Sequence, residues 1–199
     1  MEKLATRGRP REFDTEVALA AALRVFWTKG YEGASLTDLT DAMEITRPSL
    51  YAAFGNKEAL FKQALDLYEA EKLAYIGSAM QAETAREVVS YLLNGALDTI
   101  SGGDCRGCMR VIASVACQSV DESIRDDVDR RTESSRNAMI ERMQRAIDEG
   151  DFTGPVEAEA ITRYIIAIMQ GMAVQAGAGA NRDQLQQVVD AALAVWPSR

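Results

Sequence analysis

Arg47, Ser49 and Tyr51 stand within one short segment, ITRPSLYAAFGNKEALF at residues 45–61, and Lys57 follows directly on Gly55-Asn56. A guanidinium, a hydroxyl, a phenol and an ammonium at this spacing suit hydrogen bonding to phosphate oxygens and to the edges of nucleic-acid bases. Arg47 is the best base reader, because its fork of N–H groups matches guanine O6 and N7 together. Thr46 and Ser49 can donate to phosphate or base. Tyr51 can reach a phosphate with its hydroxyl while its ring packs on the helix. Thr37, near the start of the preceding short helix, can bond phosphate beside free backbone N–H groups. Lys57, in the first turn of the following helix, adds charge where a helix end already favours anions. Arg7, Arg9 and Arg11 form a basic arm able to reach a minor groove, or else a plain solvated basic tail.

A second set of reactive groups lies in GDCRGCMRVIASVACQ, residues 103–118, where Cys105 and Cys108 form a C-x-x-C. It reads three ways: as ordinary thiols at a loop–helix junction, as a redox switch with a thiol pKa lowered by Arg106, Arg110 and a helix N-terminus, or as a soft-metal site for copper(I) or zinc. Cys117 lies nine residues after Cys108, about half a turn out of phase on a helix. It cannot easily complete a ligand set. Three cysteines in all argue against a disulfide framework. The chain has no histidine, which removes the commonest general base and metal ligand and excludes hydrolase chemistry built on a histidine base. A thioredoxin-like oxidoreductase would need a βαβ setting around the C-x-x-C, and none is present. No enzymatic activity, cofactor or metal is expected.

These groups must be positioned by helices, since no segment sustains the alternation of a strand. Asp14, Ser35 with Asp38, Thr46, Asn56 and Thr84 with Glu87 read as helix N-caps, and Pro48 falls in a first turn, where its missing N–H costs little. The expected helices are 14–29, two short ones capped by Ser35 and Thr46, a long fourth to about Gly77, then 84–100, 107–118, 122–149, 155–176 and 182–196, about nine in total. Gly30 is expected to end the first. Phe26, Trp27, Leu50 and Phe54 read as core. Two short helices joined by a tight turn make a helix-turn-helix, whose second helix enters a major groove.

The formal net charge is −8. Residues 1–60 hold 8 Lys+Arg and 9 Asp+Glu, and residues 61–199 hold 14 and 21. Exposed charges are screened beyond roughly 8 Å at physiological salt, so an acidic body facing away from DNA tolerates a locally basic head. No apolar run reaches the roughly 18 residues of a membrane span and no secretory signal opens the chain, so a cytoplasmic location is the expectation.

Residues 9–62 resemble the TetR family of transcriptional repressors, through GRPREFD and then AALRVFWTKGYEGASLTDLTDAMEITRPSLYAAFGNKEALF. The landmarks are Phe26, Gly30-Tyr31, Ser35-Leu36, Ala42, Ile45-Thr46, Leu50-Tyr51, Phe54 and Asn56-Lys57-Glu58-Ala59-Leu60. The resemblance implies an all-α fold: a flexible arm at 1–9, an N-terminal three-helix helix-turn-helix DNA-binding domain at 10–70, and a larger helical ligand-binding and dimerisation domain at 71–199. It implies a ligand-released repressor that binds a near-palindromic double-stranded operator as a homodimer. For a pocket inside the body it points to Tyr91, Met139, Met143, Tyr164, Ile168 and Met172. No charged residue stands among them, which leans toward a neutral or apolar effector. For a dimer interface built from the last two helices it points to Met169, Ala173, Ala176, Leu185, Val188, Val189, Ala192 and Trp196. Two departures stand out. Glu44 occupies a turn position where the family has glycine, and Ala52-Ala53 replace polar or aromatic residues. These keep open an interaction protein without DNA binding, as the C-x-x-C keeps open a thiol- or metal-responsive regulator or a thiol oxidoreductase.

Overall fold

The computed structural model describes residues 13–102, 107–116 and 122–198. Arg7, Arg9, Arg11, Cys105 and Cys117 lie outside these. The described residues form ten α-helices: α1 Thr15–Gly33, α2 Leu36–Ala42, α3 Arg47–Phe54, α4 Lys57–Lys72, α5 Ala74–Ala79, α6 Ala85–Ser101, α7 Met109–Ala116, α8 Glu122–Asp148, α9 Ala158–Gly177 and α10 Arg182–Ala194. Among them no strand forms beyond an isolated bridge between Phe152 and Ser198.

Most helix starts fall where capping chemistry puts them. Asp14 accepts from the backbone N–H of Glu16 and Val17. Ser35 and Asp38 close a capping box on α2, Thr46 caps α3, Asn56 caps α4, and Thr84 and Glu87 close a second box on α6. Each cap satisfies an N–H that the helix cannot, worth about 1 kcal/mol.

Besides shifts of two residues at the start of α7 and the end of α10, three boundaries differ from the sequence expectation. Gly30 kinks α1 at φ 70° and ψ 176° without ending it, and the helix resumes to Gly33. The last long apolar helix starts at Ala158, not Pro155, because Glu157 is still extended. The fourth helix stops at Leu73 (φ −109°, ψ 5°) and a separate α5 follows, giving ten helices instead of about nine. Contacts remote in sequence cause that break. Thr99 of α6 donates to the Lys72 carbonyl at 3.0 Å. The Tyr75 ring lies against Gly95, where a Cβ would come within 2.2 Å of it.

Two apolar clusters hold the helices. The first gathers Phe26, Trp27, Leu39, Leu50, Phe61 and Tyr68 of α1–α4 and also takes Met109, Ile124 and Val128 from α7 and α8. Its rings meet edge to face, Phe26 on Phe61 at 5.0 Å and Trp27 on Tyr68 at 4.9 Å. Such pairs add about 1 kcal/mol beyond area burial. The second joins α5, α6, α8, α9 and α10 around Leu92, Leu93, Met143, Ile165, Met172 and Val189. Cys108, at the head of α7, packs against both.

Candidate nucleic-acid interface and internal cavity

Helix α3 buries Leu50 and Phe54 and turns Thr46, Arg47, Pro48, Tyr51, Ala52 and Ala53 outward. The division follows from helical period: positions 50 and 54 share one stripe, and the first core fills it. The Thr46 and Ser49 hydroxyls hydrogen-bond each other at 2.9 Å. Arg47 reaches across the turn and donates to the Thr37 hydroxyl at 2.9 Å. Thr37, Thr46, Arg47 and Ser49 therefore share one surface, with Tyr51 a turn further on and 49% exposed. Glu44, in the turn between α2 and α3, adopts φ 54°, a left-handed conformation that strains a residue with a Cβ by about 1 kcal/mol.

Lys57 is less free than its sequence position suggests. Its ammonium lies 4.4 Å from the centre of the Tyr31 ring, a cation–π contact. Burial lowers its pKa, and Glu32 opposes that shift. Lys29 pairs with Asp38. That contact first, then the Ser35 hydroxyl and backbone N–H, hold the Asp38 carboxyl well below the usual carboxylate range.

A cavity of about 180 Å³ opens in the helical body. Its walls come from α4 to α9 and include Tyr68, Tyr75, Ile100, Cys108, Arg110 and Met139. Of the six residues that sequence pointed to, Met139 alone lines it. Met143 and Met172 are buried in the second core, and Ile168 packs partly buried against it. Tyr91 and Tyr164 face outward, 59% and 42% exposed. Arg110, Asp129 and Arg136 belong to the lining, so the cavity carries charge where the candidates read from sequence had none. The charges come from α7 and α8.

The stripe expected at a subunit interface is largely taken up by the chain's own core. Ala173, Ala176, Leu185, Val189, Ala192 and Trp196 are buried within this single chain, and Val188 is partly buried against the same core. Met169 and Ala173 line the cavity. Helix α9 is apolar on most sides, and periodicity cannot tell which side meets its own chain. Outward on α9 lie Ala160, Tyr164, Ala167 and Val174 beside the polar Glu159, Arg163, Gln170 and Gln175, and on α10 Gln187, Ala191 and Ala194 beside Asp183, Gln184 and Asp190.

The Cys108 thiol accepts a hydrogen bond from the Tyr68 hydroxyl at 3.2 Å. Burial foremost, with Cys108 beside it, pushes the Tyr68 pKa up. Burial does the same for Tyr75, and Arg110 opposes it. Both phenols stay protonated at neutral pH. Among the described residues no cluster of three or more His, Cys, Asp or Glu could hold a metal ion, and no helix is long and apolar enough to cross a membrane.

Two links that sequence did not reveal connect the cavity region to the N-terminal helices. Trp27 donates to the Gly107 carbonyl. Arg131 of α8 bonds Asp66 and Glu69 of α4 as well as Asp127. Burial works against the Arg131 charge, but the bonds to Asp127 and Asp66 outweigh it and hold its pKa above the ordinary value. The sequence signal was faint: an arginine one helical turn after an aspartate on α8, as on any solvated helix.

The family profile described as bacterial regulatory proteins, tetR family, matches residues 18–64, and the tetracyclin repressor-like C-terminal domain matches residues 86–192. The chain is 32% identical to the HTH-type transcriptional repressor ComR of Escherichia coli (strain K12), over 96% of this chain and 93% of that protein. It is 29% identical to the repressor BdcR of the same strain, over 89% and 86%. A cysteine mutant of the TetR family transcriptional regulator CifR, solved with 26-base-pair double-strand operator DNA, superposes with a TM-score of 0.87 at 40% identity and covers 96% of this chain and 100% of its own.

Proposed function

The chain belongs to the TetR family of bacterial regulatory proteins, and from that membership we propose how it acts: as a homodimeric repressor that grips a near-palindromic operator and releases it when a small molecule enters the internal cavity. The observation that carries the reading is the shared surface of Thr37, Thr46, Arg47 and Ser49, with Arg47 held in place by Thr37. With α3 in a major groove, the Arg47 guanidinium faces a guanine edge, and Thr37, Tyr51 and Lys57 face phosphates. The Ala52 methyl, outward on the same helix, suits a thymine methyl. Arg7, Arg9 and Arg11 would follow the adjoining minor groove.

The division into an arm at 1–9, a DNA-binding domain at 10–70 and a ligand-binding and dimerisation domain at 71–199 belongs to the same proposal. The outward stripes of α9 and α10 are the dimer face. Their small residues, Ala160, Ala167, Ala191 and Ala194, let four helices approach closely around a twofold axis. Two heads then read half-sites about 35 Å apart. Such a regulator works in the bacterial cytoplasm, where the chromosome is. Its acidic body limits non-specific attraction to DNA while the local head docks.

Selection from a random duplex pool, with wild type and Arg47→Ala in parallel, tests this. Wild type should enrich a near-palindromic site that the variant loses or broadens. No enrichment at low salt by folded, ligand-free protein would overturn the proposal.

A further inference from the structure

Resting on the ligand-responsive reading above, we propose that the effector is a small organic carboxylate with an apolar, ring-sized tail, its carboxylate held by Arg110 and Arg136. Arg110 is deep in the cavity wall, its side chain 15% exposed. Its bonds are long and neutral, to the Ser135 hydroxyl at 3.2 Å and the Thr132 hydroxyl at 3.3 Å. The nearest carboxylate, Glu69, stands off at 3.9 Å, drawn instead to Arg131 at 2.9 Å. A guanidinium offers five N–H donors, so Arg110 has donors left over. Arg136 bonds Glu133 outward at 2.6 Å, yet its Nε is buried without a hydrogen-bond partner. Tyr75, a neutral phenol in the same wall, makes no hydrogen bond among the described residues.

Two cations with unused donors, one of them with a buried Nε that has no partner, face a half-open space and favour an anion, since charge-assisted bonds are the strongest they can still make. Asp129 is exposed at the rim and leaves that demand unmet. The rest of the lining, including Leu73, Ile76, Ile100, Ile166 and Met169, has nothing to offer a second charge. It suits a hydrocarbon tail. Size narrows the class further. A dry apolar cavity of about 150 Å³ accepts benzene, so about 180 Å³ takes a ring with a short acid arm, roughly ten non-hydrogen atoms. A cation would be repelled by the two arginines, and a neutral molecule would leave their donors unpaired.

The test is calorimetric titration of the full-length dimer with phenylacetate and with phenylacetamide, which has the same shape and no charge. Phenylacetate should bind at least about tenfold more tightly. Arg110→Met should erase that preference. Tyr75→Phe, which removes one hydroxyl, should weaken the acid a few-fold and the amide less, since the bond to a charged oxygen is the stronger. It also serves if Arg110→Met fails to fold. Equal or tighter binding of the amide, or no binding of the acid by folded wild type at millimolar concentration, overturns the inference. Operator binding by the ligand-free protein, measured alongside, separates the two readings. Intact operator binding released by the amide and not the acid sinks the carboxylate and leaves the repressor. Acid binding by a protein that grips no duplex does the reverse.

Discussion

The indole Nε1 of Trp27 donates to the backbone carbonyl of Gly107 at 3.1 Å, across 80 residues of sequence. This buried bond ties α1, which carries the head, to the residue before the Cys108 thiol in the cavity wall. Gly107 has φ 87°, and a Cβ there would sit 3.2 Å from the Ala173 carbonyl of α9. One loop residue is thus wedged between the first helix and the cavity's far wall. Cavity and head are linked again through Tyr68, whose ring meets Trp27 and whose hydroxyl meets Cys108.

Trp27→Phe keeps a ring against Tyr68 and orphans the Gly107 carbonyl. A loss of about 1–2 kcal/mol is expected, read as a lower urea midpoint. Operator affinity without ligand should hold while the response to an effector declines. An unchanged midpoint would mean the bond contributes nothing.

Glu44→Gly should stabilise the turn. Relief of left-handed strain, about 1 kcal/mol, is partly offset by the greater freedom glycine has when unfolded, leaving a net gain of about 0.5 kcal/mol. Losing a carboxylate beside the proposed DNA surface should also tighten operator binding. A destabilised variant would show that the Glu44 side chain makes a contact outweighing its strain.

Asp38 sets an acid limit on α2. Its folded pKa lies below the unfolded value, so its contribution to stability is complete above about pH 4 and is lost as pH falls further. Asp38→Asn should therefore bring the urea midpoints at neutral and acid pH closer together. The same acid drop in both proteins would exclude Asp38 as a cause.

Arg47→Ala should cost about 1–3 kcal/mol and relax one base pair of the operator. Lys57→Ala should instead weaken all duplexes and reduce the salt slope by about 1. It should also lower stability by about 0.5 kcal/mol through the lost contact with Tyr31. Uniform weakening by Arg47→Ala would reassign that residue to phosphate.

Val174, 57% exposed on α9, distinguishes interface from core. Val174→Glu should fold yet sediment as a monomer, whereas Met172→Asp, at a fully buried position, should unfold. A dimeric Val174→Glu protein would remove this stripe from the interface.

The caps were legible in sequence because capping is local: Asp14, Ser35, Thr46, Asn56 and Thr84 each bond an N–H two or three residues away. The division of α3 into buried Leu50 and Phe54 and outward Arg47 and Tyr51 was legible for the same reason, since one helical period sets it. The left-handed Glu44 was expected only through the resemblance, because the family has glycine at that turn. The break at Leu73 was not legible, for it depends on Thr99 and Gly95, more than twenty residues downstream. Nor was the cavity. Met139 and Met143 lie on the same helix four residues apart and both belong to the second core, yet only Met139 also lines the space. Periodicity identifies an apolar face, but only packing against the other helices decides which part of that face closes on a neighbour and which is left open.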